Sequence, residues 1–134
     1  RRQRQMCIRD RDYAGRSYDN DIIVNIIVKK RPVHMFYEAV RITETDLPVL
    51  TCAGVKFADT GLCNICIGAR PGKAVIVKDT YDILSSGISE ESIEKFADFV
   101  EKNLPTQGNM RGSAGYRSHL AGVLTKRALI NINK

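Results

Sequence analysis

The hydrophobic pattern of this chain changes period once, near residue 78, and no other feature constrains the fold so tightly. Before that point apolar residues come in short, β-branched runs; after it they recur every three or four positions. The clearest β signal is a pair of apolar runs, residues 49–57 and 62–69, separated by Ala58, Asp59, Thr60 and Gly61. A connection that short, ending in glycine, suits a hairpin. Residues 33–42, with Met35, Phe36, Tyr37 and Val40, read as a strand ahead of the polar turn 43–46 and Pro48, and residues 74–77 as a short strand behind the Pro71-Gly72 break. Residues 19–29 (DNDIIVNIIVK) read as a mostly buried strand interrupted by Asn25.

In the helical half, residues 79–84 suit a short helix stopped by Gly87. Ser89 is a good N-cap, with Glu90 and Glu91 in the first turn, where the helix dipole favours anions. Ile93, Phe96, Ala97, Val100 and Leu104 then share one stripe until Pro105 ends the helix. A last helix begins at Ser113, with Tyr116, Leu120, Val123 and Leu124 expected on one face and Arg117 and Lys126 turned outward. Strands that each bury one face, followed by helices that need an apolar surface, imply an α+β fold. The expected architecture is a two-layer sandwich of a three- to four-stranded antiparallel sheet against two to three helices. A chain of 134 residues fits one domain burying roughly two-thirds of its unfolded surface.

The net charge of +6 invites a nucleic-acid reading until its position is considered. Residues 1–11 (RRQRQMCIRDR) hold five arginines and one aspartate, which leaves +2 for the other 123 residues. The basic balance belongs to a tail. Its RQMCIRDR portion resembles a translated library adapter, so residues 1–11 are expected to be an artefact of cloning or a disordered arm, with the natural upstream sequence missing. No apolar run approaches the length of a membrane span, and the N-terminus lacks the apolar core of a secretory signal, which points to a cytoplasmic protein with reduced thiols.

Few residues carry a chemical signal. Cys63 and Cys66 form a CxxC, but inside an expected strand positions i and i+3 face opposite ways, so core packing explains them better than a metal site. Cys52 fits the same reading. His34 and His119 lack the serine, cysteine or carboxylate company of nucleophilic catalysis, and His119 reads as a surface or interface residue. Glu44, Asp46, Glu90, Glu91 and Glu94 suit turns and caps. The segment Gly68-Ala69-Arg70-Pro71-Gly72 is neither a P-loop nor a dinucleotide fingerprint.

Residues 109–129 (NMRGSAGYRSHLAGVLTKRAL) differ in kind. They resemble the RGSAxYRxxLxxVLxxRAL signature near the end of the FAD-binding subunits of molybdenum hydroxylases, a family that includes xanthine, nicotinate and carbon monoxide dehydrogenases. The signature has physical sense: Ser113 caps the helix, Tyr116 anchors its first turn, and a Leu/Val stripe packs on the sheet. The likeness runs through YEAVRITETDLPVLTCAG and covers about residues 19–132. It implies that residues 12–32 end a preceding FAD-binding domain and that residues 33–134 form a domain beside the flavin, of the CO dehydrogenase flavoprotein C-terminal type.

The resemblance further implies that FAD is held mainly by upstream domains, and that the molybdenum cofactor and 2Fe-2S clusters sit on a molybdenum-cofactor subunit and an iron-sulfur subunit. Electrons would then pass through FAD to NAD or another acceptor. It places Tyr37, Arg41 and Asp46 near the flavin and makes Arg111, Tyr116 and Arg117 candidates for subunit contact, with no catalytic residue, no metal and no nucleic acid. The family often has a lysine after the Tyr37 position, whereas this chain has Glu38 and Ala39; Gly115 stands where a glutamate is frequent. Two other readings compete. A non-catalytic α+β interaction module with a nucleic-acid-touching tail would lose salt-sensitive binding when residues 1–11 are deleted, and a flavin-reductase dimerisation domain would lack the terminal signature.

Overall fold

A computed structural model describes residues 25–27, 30–69, 72–77, 79, 81–85 and 87–134. The chain divides into two compact units, Arg1–Lys30 and Arg31–Lys134. Most of the first unit, including most of the expected strand over residues 19–29 and the whole basic tail, lies outside the described residues; Asn25, Ile26 and Ile27 are exposed and carry no strand.

In the second unit the β-branched runs become four strands: β1 (Val33–Val40), β2 (Leu50–Phe57), β3 (Cys63–Gly68) and β4 (Val75–Val77). They form an antiparallel meander in the order β1-β2-β3-β4. The β2–β3 hairpin closes where the sequence places it: the Phe57 amide donates to the Leu62 carbonyl at 3.0 Å, and Gly61 sits at φ +66°, a left-handed conformation that glycine adopts freely. The strand period of two sorts the side chains onto two faces. Leu50, Cys52, Ile65 and Ile67 are fully buried on the inner face, joined there by Phe36 and Val40 of β1 and Val75 and Val77 of β4.

Two helices cover that inner face, α1 (Glu90–Asn103) and α2 (Ala114–Ile132). Ser89 caps α1 as expected, and the cap is reciprocal: the Ser89 hydroxyl accepts from the Ser92 amide at 3.2 Å while the Ser92 hydroxyl accepts from the Ser89 amide at 2.8 Å. The stripe Ile93, Phe96, Ala97, Val100 and Leu104 is buried, and the helix ends at Leu104, before Pro105. The described residues of the segment 79–84 do not make the expected helix. The Asp79 carboxylate takes the amides of Ile83 and Leu84 at 2.9 and 2.7 Å, and Asp82 adopts φ +51°, so the segment closes as consecutive turns instead.

Small residues set how closely the layers approach. A Cβ on Gly54 would sit 3.1 Å from the Ala128 Cβ and 3.3 Å from the Ile65 Cδ1, so α2 rests directly on the β2 backbone. Gly122 serves the same purpose between the helices, where an added Cβ would meet the Ala97 carbonyl oxygen at 3.3 Å and Glu101 Oε2 at 2.9 Å. Among the described residues, no helix is long and apolar enough to cross a membrane.

Candidate functional site

The largest departure from the sequence reading falls on α2. Arg117, expected to point outward, is 1% exposed. It heads the buried stripe that continues through Ala121, Leu124, Thr125, Ala128, Leu129 and Ile132, whereas Tyr116 is about half exposed and Leu120 and Val123 are partly buried. The helix is therefore turned by roughly one position relative to the expected Tyr116–Leu120–Val123 face. An arginine was read as solvent-facing because of its charge, yet a planar guanidinium with five donors is stable inside a ring of carbonyls.

That ring is supplied by two loops. Arg117 Nε donates to the Val49 carbonyl at 3.0 Å, Nη1 to the carbonyls of Gln107 and Gly112 at 2.6 Å each, and Nη2 to Asn109 Oδ1 at 2.5 Å. Gly112 has to be small here, since a Cβ would lie 3.3 Å from the Tyr116 ring, 3.4 Å from Val49 and 3.8 Å from the guanidinium carbon. Asn109 and Gly112 exchange backbone hydrogen bonds at 3.0 and 3.1 Å, which closes a tight turn with Met110 exposed at its tip. Sequence reasoning gave Asn109 no role, although it stands at the head of the signature segment.

The same corner gathers three other expected residues. Arg111 Nε lies 3.2 Å from Asp46 Oδ1, and the Leu47 amide donates to that same oxygen at 2.8 Å. Arg41 Nε donates to the Asp46 carbonyl at 3.1 Å. Arg41, Asp46, Arg111 and Arg117 thus belong to one assembly of two loops, with Tyr116 packed over Gly112. Tyr37 stands apart from them. It lies on the outer face of the sheet, away from the helices, and is 63% exposed.

That outer face is apolar. Met35, Tyr37, Ala53, Val55, Phe57, Cys66 and Ile76 line a shallow depression of about 550 Å³, with Asn64 as a polar neighbour. Alternation also separates the two cysteines of the CxxC: Cys66 borders this depression, while Cys63 packs against the core beneath the helices. Burial pushes the Cys52 thiol up to about 12, with Cys66 and Glu38 adding to the shift, so it stays protonated near neutral pH as an inert core group. Burial raises the Cys63 thiol as well, against an opposing pull from Lys56. His119 is exposed and lies 3.3 Å from Glu101. Among the described residues no cluster of three or more histidine, cysteine, aspartate or glutamate side chains is arranged to hold a metal ion.

Residues 35–132 match the family described as the CO dehydrogenase flavoprotein C-terminal domain. This chain belongs to that family. The resemblance carried by residues 109–129 is thereby borne out, as is the two-layer α+β fold. Among solved structures, the domain is similar to a carbon monoxide dehydrogenase from Hydrogenophaga pseudoflava that lacks the Mo-pyranopterin moiety of the molybdenum cofactor, with TM-score 0.62 and 20% identity over 75% of this chain and 36% of that one. Quinoline 2-oxidoreductase from Pseudomonas putida 86 gives TM-score 0.62 and 21% identity over 75% and 36%. A cyanide-inactivated Cu,Mo-CO dehydrogenase gives 0.65 and 20% over 78% and 38%. The chain spans little more than a third of the length of these relatives. No match to a curated protein is found.

One family departure has a stability consequence. Gly115 occupies the first turn of α2, which contains no acidic residue, and an added Cβ there meets nothing within 4 Å. Gly115→Glu is expected to raise stability by about 1 kcal/mol through helix propensity and the dipole, or about 4–8 °C in Tm for a domain of this size, read by thermal unfolding.

Proposed function

We propose that this domain is the C-terminal part of the FAD-binding subunit of a molybdenum hydroxylase, where it covers one side of the flavin and helps to dock the neighbouring subunits. The observation that carries this reading is the apolar outer sheet face with Tyr37 on it, which α1 and α2, on the opposite face, leave uncovered. A planar, largely apolar isoalloxazine ring suits such a surface, and Tyr37 offers an aromatic side chain to its edge or face. Arg41 and Asp46, on the loop that leaves β1, would supply polar groups beside it. Among the described residues no glycine-rich phosphate cradle is formed, so the diphosphate of FAD would be held mainly by upstream domains.

When bound, FAD would accept electrons that reach it from a molybdenum centre through 2Fe-2S clusters on partner subunits and pass them to NAD or another acceptor. This domain contributes no acid, base or nucleophile to that reaction. Its residues exclude water from the ring and fix the corner formed by Arg41, Asp46 and Arg111. The rigid turn at residues 109–112, with Met110 outermost and Arg111 and Tyr116 beside it, is the surface we assign to subunit contact. The reading places the assembly in the cytoplasm.

The test is Tyr37→Ala in the full-length subunit, assembled with its molybdenum and iron-sulfur partners. Loss of an aromatic contact worth about 0.5–1.5 kcal/mol should weaken FAD binding roughly three- to tenfold and change the flavin fluorescence. Unchanged affinity and fluorescence would remove the domain from the flavin.

A further inference from the structure

Residues paired in register point to the same side of a sheet, so the outer face is laid out in cross-strand rows. Tyr37, Ala53, Cys66 and Ile76 form one row from β1 to β4, and Met35, Val55 and Asn64 form the next. Ala53 has the smallest side chain of the two rows, which keeps the middle of the depression low beside Tyr37. Asn64 is the polar exception. Among the described residues that line the depression, the other side chains able to hydrogen-bond are the Tyr37 hydroxyl and the Cys66 thiol, a weak donor. Asparagine is depleted in strands, and this one, half-buried on β3, has no hydrogen-bond partner for its carboxamide among the described residues.

That carboxamide constrains what can cover the face. Hydrocarbon alone would strand its two N–H donors and its Oδ1 acceptor away from water, which is costly. The occupant that suits the face is flat and apolar over most of its area and carries hydrogen-bonding groups at one end. An isoalloxazine is built that way: its dimethylbenzene half is hydrocarbon, and its pyrimidine edge alternates carbonyl oxygens with an imide N–H. Asn64 offers the complementary donor and acceptor. With strands about 4.8 Å apart and residues about 3.4 Å apart along them, Asn64 lies roughly 12 Å from Tyr37 on a diagonal of the face, a span that three fused rings cover.

We propose that the Asn64 carboxamide hydrogen-bonds the pyrimidine edge of the isoalloxazine and so fixes the direction of the ring, with its dimethylbenzene end toward Tyr37 and β1. The proposal rests on the reading of the outer face as the flavin surface. Reduction adds electron density to the pyrimidine edge, so a donor there binds the reduced ring better than the oxidised one and raises the flavin midpoint potential. A reductive titration of the full-length subunit, assembled with its partners and followed at the flavin absorbance band, tests this. Asn64→Leu, which keeps the face apolar but removes the donors, should weaken reduced against oxidised flavin about tenfold and lower the midpoint by about 30 mV. Asn64→Asp, nearly isosteric, sets a carboxylate against the electron-rich edge and should lower it further. Circular dichroism of both variants checks that the fold is kept. Unchanged potentials in both, with Tyr37→Ala still weakening FAD binding, would overturn the proposal and leave the flavin on this face. A drop confined to Asn64→Asp would also overturn it, because a nearby charge acts without a hydrogen bond. If Tyr37→Ala and both Asn64 variants are all silent, the flavin reading itself falls and the proposal with it.

Discussion

Arg117→Met is expected to destabilise the domain by about 3–5 kcal/mol, because it removes the donors from a buried hydrogen-bond network. The carbonyls of Val49, Gln107 and Gly112 and the Asn109 side chain would all lose this partner at once. Charge alone does not rescue the site. Arg117→Lys keeps the cation but replaces a planar fork with a point charge on a flexible stem, so it should recover a minor part of the loss. The Met side chain fills similar volume, which separates the missing hydrogen bonds from a cavity effect. Denaturant unfolding measures the cost through the midpoint at constant slope. A change of less than about 1 kcal/mol for Arg117→Met would mean that the two loops hold their geometry without the guanidinium. Because Val49 follows the Asp46 loop and Asn109 opens the 109–112 turn, the same substitution should also loosen the Arg111–Asp46 pair.

Leu124→Ala should cost about 2–5 kcal/mol, the range for deleting a fully buried leucine whose surroundings relax only in part. Leu124 is 0% exposed and belongs to the core cluster between the sheet and α1. Its neighbour Val123 is partly buried, and Val123→Ala should cost distinctly less. The comparison fixes the rotation of α2. On the face expected from sequence, positions 120, 123 and 124 would be equivalent; in the structure, positions 117, 121, 124, 125 and 128 form the buried stripe. Equal costs at 123 and 124, read from urea midpoints, would contradict the observed helix phase.

The strand and helix order was legible because the signals were local. The hairpin at Ala58–Gly61 rests on a short glycine-containing connection between two apolar runs, and α1 on a capping serine, an apolar stripe and a terminal proline, each of which acts within a few residues. Residues 79–84 misled because Asp79 satisfies amides four and five residues ahead without continuing a helix, a side-chain choice that hydrophobic spacing does not report. Arg117 misled for a different reason. Its ring of acceptors comes from Val49, far away in sequence, and from a turn whose carbonyls look like any others until the chain is folded. The family signature named the residue, but its burial follows from the tertiary arrangement. The outer sheet face was partly legible: Tyr37 was singled out, while Met35, Val55, Cys66 and Ile76 join it through strand register alone.

The placement of the flavin is tested most directly by hydrogen exchange on the full-length subunit, with FAD bound and after its removal. Exchange at the β1 residues Met35 to Ala39 and the β2 residues Ala53 to Val55 should slow when FAD is loaded, while α1, on the opposite side of the sheet, should change little. Equal exchange at the outer face with and without FAD would contradict a domain that covers the flavin.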